Sequence, residues 1–270
     1  MSSCIKRNIR KSVYVILLIL IILGLIFYFD RVRIKEYFQE RRKEPTPEVV
    51  SLEEIEKTKE EKEEAIEEEK AKKIIIPDQI NIDVPFTSQA PYADWSEPWQ
   101  NACEEAALMM VHHFWQGKKS FTEEEASQEI LDMISWQEKN YGGHFDLTAE
   151  QTAQLARDYY SIKNIEVVYD PTIEDIKKEV AQGNPVIVPA YGRMLDNSNY
   201  TQPGPIYHML VVVGYTPKII ITNDSGTRKG DEFQFSYENF YDAIHDWVEG
   251  AKKNPDLMKR GKKAMIVIRK

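Results

Sequence analysis

Residues 13–29, VYVILLILIILGLIFYF, form an uncharged run of seventeen residues, at the lower end of what crosses a hydrocarbon bilayer as a helix. Tyr14, Phe27, Tyr28 and Phe29 stand at its edges, where amphipathic rings favour the membrane interface. The run predicts a transmembrane helix and divides the chain. Lys6, Arg7, Arg10 and Lys11 precede it, which favours a cytoplasmic segment over residues 1–12 and export of the chain beyond residue 29. Arg31, Arg33, Lys35 and the basic triplet Arg41, Arg42 and Lys43 oppose that orientation by simple counting, but long downstream domains are translocated largely regardless of charge. No small-x-small cleavage site succeeds the run, so it is expected to stay as a signal anchor.

Residues 30–73 cannot build a core. Pro45 and Pro47 interrupt them, and residues 51–73 carry ten Glu and six Lys with only scattered apolar side chains. Helix formers without a sustained heptad seam read as a solvated, semi-rigid stalk rather than a coiled coil. The fold is therefore expected in residues 74–270. The whole chain has 270 residues, a net charge of −9 and a pI near 5.3. No Lys/Arg-rich stripe lies beyond the N-terminus, so a nucleic-acid partner is not expected.

Residues 74–270 alternate helical with strand-like patterns, an α+β order. Asn101 followed by Glu104 resembles a capping box, and Ala106, Ala107, Met110, Val111 and Phe114 then recur at helical spacing. Further helix starts are expected at Thr122 with Glu125, at Thr148 with Gln151, and after Pro171, the last ending at Gly183. Strands are expected at residues 165–169, 186–188, 209–215, 219–222 and 264–268. The helical half precedes the sheet-rich half.

The two cysteines, Cys4 and Cys103, lie on opposite sides of the apolar run, so neither a disulfide nor a Cys-x-x-Cys metal motif is available. Cys103 is either an inert core residue or a nucleophile. Its place in a first helical turn, beside free N–H groups and the positive end of the dipole, predicts a lowered thiol pKa. The short turn Thr216-Pro217-Lys218 predicts a hairpin that brings His208, opening one strand, near Asp224, closing the next. Neighbouring strand residues point to opposite faces, so only one of Asn223 and Asp224 can address the imidazole. A thiolate, a base, a group orienting that base and oxyanion donors are what cysteine-based acyl transfer needs. Cys103, His208, Asp224 and Gln89 supply them, with the Cys103 backbone N–H as a second oxyanion donor.

Four segments, VPFTSQAPY (84–92), WQNACEEAALMMVHHFW (99–115), YHMLVVVGY (207–215) and NDSGTRKG (223–230), occur in this order. Through them residues 81–247 resemble papain-like cysteine peptidases of the bacteriocin-leader (double-glycine) processing type, in the peptidase C-39-like branch. The resemblance implies an α+β papain-like fold, Cys103 as nucleophile, His208 as base, Asp224 as its orienting residue, Gln89 in the oxyanion hole, no cofactor and no metal, and a peptide or protein substrate. Three residues depart from the family. Glu104 and Glu105 come after the cysteine where many members have Gly-Pro, and Ser225 comes after the aspartate where Pro is usual. Glu104 is expected to serve the helix cap, and Glu105 to face solvent or select a basic substrate group.

Competing residues read more simply. His112 and His113 are adjacent and so point to different faces, with no HExxH pattern to form a zinc site with His144. His245 is expected as a packed helix residue in SYENFYDAIHDWVEG. Tyr92, Trp95, Trp99 and Tyr207 either line a substrate cleft or pack as aromatics. The leading function is extracytoplasmic peptide-bond hydrolysis. The alternatives are a catalytically silent papain-fold surface binding module, and a cell-wall peptide amidase or transferase using the same residues.

The topology has a direct test. External protease added to intact cells should remove residues 74–270, whereas protection until the membrane is broken reverses the orientation.

Overall fold

The computed structural model describes residues 76–270. The expected cytoplasmic segment (1–12), transmembrane anchor (13–29) and stalk (30–73) lie outside the described residues. Among the described residues no helix is long and apolar enough to cross a membrane.

Three helices begin where threonine can cap them. Thr122 Oγ1 accepts the Glu125 N–H at 3.1 Å, Thr148 Oγ1 that of Gln151 at 3.2 Å, and Thr172 Oγ1 that of Asp175 at 3.1 Å. Each third residue returns its side chain to the cap N–H, so two otherwise unpaired donors are satisfied per helix. These caps open α2 (Glu123–Tyr141), α3 (Ala149–Tyr160) and α4 (Ile173–Ala181). Gly142, with φ of 81°, stops α2 in the left-handed conformation glycine adopts without penalty. Helix α1 (Cys103–Trp115) has no such start. Its cap is Ala102, which makes no side-chain cap bond, and a 3₁₀ turn at Trp99–Asn101 leads into it. Asn101 instead donates to Glu97 Oε1 at 2.7 Å, so the expected Asn101–Glu104 box does not form.

The strands are β1 (Ile80–Asn81), β2 (Ile165–Tyr169), β3 (Val186–Ala190), β4 (His208–Tyr215), β5 (Ile219–Asp224), β6 (Phe233–Ser236) and β7 (Ala264–Ile268). They form one sheet in the order β2-β7-β3-β4-β5-β6, with β1 also on β4, and every pairing is antiparallel. The short β1 and the half-buried β6 were not foreseen, because two residues and a single FQFS stretch carry no readable alternation. The final α-helix, α5 (Tyr237–Ala243), stops because Ile244 turns extended and bridges to Ala190. His245 therefore lies beyond the helix, its N–H donating to the Pro189 carbonyl at 3.1 Å, which corrects the expectation of a helical histidine.

All eight residues of β4 are buried. Alternate strand residues face opposite sides, so both faces of this central strand are covered, and α1 and α4 both pack on it. Helix α1 is itself enclosed. Ala107, Leu108, Met110, Val111 and Phe114 join the main core, while Ala106 and Met109 join a second cluster with Ala126, Ile130 and Ile134 of α2. The expected single apolar stripe is thus a helix buried nearly all round. Each large apolar side chain so removed from water contributes about 1.5–3 kcal/mol, enough to hold a first turn that carries two glutamates.

Two glycines permit close backbone approach at β4 and β5. A Cβ on Gly214 would lie 2.5 Å from the Ile80 carbonyl oxygen, where β1 joins the sheet beside a bulge in β4. A Cβ on Gly230 would overlap the Asp224 carbonyl, and the Gly230 carbonyl accepts the Asp224 N–H at 2.8 Å. Gly230→Ala should therefore destabilise the domain by roughly 1–3 kcal/mol and displace Asp224, read as a lowered melting temperature in a thermal scan. An unchanged melting temperature would refute this account of the loop.

Candidate active site

Cys103 opens α1 and is 3% exposed. Its thiol donates to Glu104 Oε2 at 3.0 Å, and Glu104 Oε1 accepts the Leu147 N–H at 2.8 Å. Glu105 accepts from Gln137 Nε2 and lies 3.4 Å from His144 Nε2. Both glutamates are wholly buried. The expectation that Glu104 caps the helix and that Glu105 faces solvent is therefore corrected: a helix enclosed on both sides leaves its first turn no wet face.

This enclosure decides the ionisation. Burial, then the charges of Glu105 and Asp146, push the Glu104 carboxyl from an ordinary 4.5 up to about 8, against the opposing hydrogen bonds from Cys103 and Leu147. Burial, then the charge and hydrogen bond of Glu104, push the Cys103 thiol well up. The lowered thiol expected from the helix start is corrected in direction. A helix N-terminus supplies about 0.3–1 kcal/mol, whereas burial alone can move a pKa by up to about 3–5 units, each worth about 1.4 kcal/mol.

His208 and Asp224 meet through the register of the hairpin. Leu210 pairs with Asp224 and Val211 with Asn223, so Asp224 lies diagonal to His208 on one face and Asn223 on the other. His208 Nε2 lies 2.7 Å from Asp224 Oδ1, both side chains buried. Asn223 is occupied elsewhere, donating to the Val84 carbonyl at 3.0 Å and accepting the Glu232 N–H at 3.2 Å. The carboxylate is further held by Tyr200 Oη at 2.5 Å and Asn197 Nδ2 at 2.8 Å on Oδ2, and by the Gly226 N–H at 3.0 Å on Oδ1. Burial pushes Asp224 up, but the charge of His208 and the bonds from His208, Tyr200 and Asn197 outweigh it and leave the carboxyl below its ordinary value.

Sequence reasoning did not find Tyr200 and Asn197. They lie in the irregular connection between β3 and β4, where no period marks a side chain as inward. The one available signal was the polar run DNSNYTQPG between two buried strands. The Tyr200 ring also meets the His208 ring edge-on, with centroids 5.7 Å apart. With Nε2 on Asp224, Nδ1 is the imidazole nitrogen left for a thiol. The thiol's hydrogen bond nonetheless goes to Glu104 rather than to His208.

Gln89 straps the two halves together. Its backbone N–H donates to the Ser225 carbonyl at 2.9 Å, and its Nε2 to the Trp99 carbonyl at 2.9 Å in the turn leading to Cys103. The amide has a second N–H beyond that bond. The Ser225 carbonyl also accepts from Ser88 Oγ at 3.2 Å, so the residue that departs from the family pattern is a docking point for the Gln89 segment.

Of the other side chains, His113 pairs with Glu129 at 2.8 Å and His112 stacks on Tyr160 at 3.8 Å. Tyr207 is buried, its hydroxyl donating to the Leu147 carbonyl at 2.7 Å, so it packs rather than lines a cleft. Tyr92 and Trp95 are 58% and 40% exposed.

A helix-borne cysteine packed against an antiparallel sheet that carries a buried His–Asp pair defines an α+β domain, consistent with a papain-like fold. The chain belongs to the Peptidase_C39 like family, whose model matches residues 81–249. Among solved structures, one described as a C39-like peptidase from Bacillus anthracis matches with a TM-score of 0.45 at 17% identity, over 70% of this chain and 96% of that one. No curated protein matches.

The buried acid makes a stability prediction. Between about pH 4.5 and about pH 8 the folded chain keeps a proton on Glu104 that the unfolded chain has released. The folded state then binds more protons, so stability falls as pH rises through that window. Thermal melts across it should show the decline, and Glu104→Gln should remove that part of it. An equally steep decline in the variant would assign it to other groups.

Proposed function

We propose that the chain is a membrane-anchored, extracytoplasmic cysteine peptidase that hydrolyses peptide bonds with Cys103 as nucleophile, His208 as general base, Asp224 as the residue orienting that base, and Gln89 in the oxyanion hole. The observation that carries this reading is the buried His208–Asp224 pair at 2.7 Å with three further donors on the carboxylate. A core has no need of such a pair, since replacing buried ion pairs by apolar residues is often neutral or stabilising. Family membership supports the peptidase class.

Hydrolysis by these residues would run through an acyl-enzyme. His208 Nδ1 takes the Cys103 Sγ proton, and the sulfur lone pair attacks the scissile carbonyl carbon. The resulting oxyanion accepts from the free Gln89 Nε2–H and from the Cys103 backbone N–H, one of the first-turn donors without an intrahelical partner. Collapse of the adduct breaks the C–N bond, and the imidazolium gives its proton to the leaving amine. Water, deprotonated by His208, then attacks the thioester and releases the acid and the thiol. Asp224 stabilises the imidazolium and fixes its tautomer throughout. The apolar run at residues 13–29 would tether the domain outside the membrane.

A second reading, a silent binding module, is favoured by one observation: the buried thiol donates to Glu104. Intact-mass measurement after exposure to a cysteine-directed peptidyl electrophile separates the two. Stoichiometric adduct on Cys103, lost in His208→Ala, supports the peptidase; no adduct at any pH supports the module.

Turnover of variants tests the orienting role. Asp224→Ala should lower kcat by a factor on the order of a hundred or more, and Asp224→Asn by less. Asn223→Ala should keep most activity but melt earlier, having lost its bonds to Val84 and Glu232. If Asn223→Ala cripples kcat while Asp224→Ala spares it, the assignment is wrong.

A further inference from the structure

The nucleophile's nearest polar neighbour is not the base. Glu104 Oε2 accepts the thiol proton at 3.0 Å, while Oε1 is pinned by the Leu147 N–H at 2.8 Å, so the carboxyl cannot swing away without vacating a buried donor. No atom of Glu104 reaches water. Its other neighbours are mostly acids: Glu105 on its own helix and Asp146 on the loop between α2 and α3. Tyr207, just before β4, is within electrostatic reach as a neutral phenol. Lys252, 2.8 Å from Asp146, supplies an opposing charge, and His144, 3.4 Å from Glu105, adds one when protonated.

We propose that Glu104 is a further catalytic residue that controls the nucleophile: its carboxylate holds the Cys103 proton and keeps the thiol neutral, and only a protonated Glu104 lets His208 generate the thiolate. This rests on the reading of Cys103 as the nucleophile.

The chemistry turns on which partner donates. As a carboxylate, Glu104 has only acceptors, so the Sγ–H must point at it, and removing that proton would leave two buried anions 3.0 Å apart. Once a proton from solvent sits on Oε2, the bond reverses and the carboxyl O–H donates to sulfur. The S–H proton then passes to His208 Nδ1, the electron pair stays on sulfur, and the thiolate forms beside a neutral donor. The carboxyl releases its proton only near pH 8, so the hold engages on the alkaline side, where an ordinary thiol becomes more reactive. The Glu104→Gln amide imitates the protonated acid, with its oxygen for Leu147 and an N–H for sulfur.

The test is the pH profile of Cys103 alkylation by iodoacetamide in the full chain, resolved from Cys4 by peptide mass, for wild type, Glu104→Gln and Glu105→Gln. The Glu104→Gln to wild-type rate ratio should be near one at about pH 6 and reach roughly tenfold or more at about pH 9, a shift of at least one pKa unit. Glu105→Gln, whose carboxyl does not touch sulfur, should give a smaller ratio. A Glu104→Gln ratio at or below one throughout overturns the proposal, as does an equal effect of Glu105→Gln, which would reduce it to a general field. Should Glu104→Gln fail to fold, the wild type decides: an S–H infrared band of Cys103 that moves to lower frequency as the carboxyl ionises near pH 8 upholds the proposal, and a band whose frequency is unchanged through that range overturns it. Alkylation is read without substrate, so an absence of peptidase turnover would sink the proposed function, and an unaltered profile would sink only the role of Glu104.

Discussion

The contact between His208 Nε2 and Asp224 Oδ1 depends on the register of β4 against β5 more than on either side chain. Sliding one strand by one residue would present Asn223 in place of Asp224, because strand side chains alternate with period two. Much of the surrounding structure fixes that register. The bulge in β4 shifts the pairing with β5 by one residue between Gly214 and Val212, Gly214 admits β1, and the Gly230 carbonyl receives the Asp224 N–H. Tyr200 and Asn197 then complete the carboxylate's shell.

Two buried carboxyls in one domain meet opposite fates. Asp224 is surrounded by donors and a titratable ring, and is held below its ordinary pKa. Glu104 is surrounded by acids, with one amide N–H and a thiol as donors, and is pushed to about 8. Desolvation acts on both in the same direction, so the partners decide the charge. That contrast gives the site one carboxyl suited to stabilising an imidazolium and one that can carry a proton at neutral pH.

The helix starts at Thr122, Thr148 and Thr172 were legible because a capping box is local: cap and third residue lie within one turn of chain. The main strands were legible from their β-branched content, and the hairpin from a three-residue turn. Asn101 misled because the same local pattern was overridden from a distance. Glu104, which would have completed the box, is bound by Leu147 across the fold, and Asn101 turned to Glu97. His245 misled in the same way, since the pairing of Ile244 with Ala190 ended the helix that the sequence period continued.

Sequence alone determined the order of elements and the placing of Cys103 at a helix start, because each depends on short-range patterns; the bulge in β4 between Val212 and Gly214, which turn length does not specify, is what brings Asp224 rather than Asn223 to the face of His208. Tertiary structure alone decided the state of the thiol. Whether a first-turn glutamate faces water or sulfur depends on what covers the helix, and α1 lies between the sheet and α2, with partners far away in the chain. Burial then reversed the sign of the pKa shift that the helix dipole would have given, since desolvation is a property of the whole fold and the dipole of one turn.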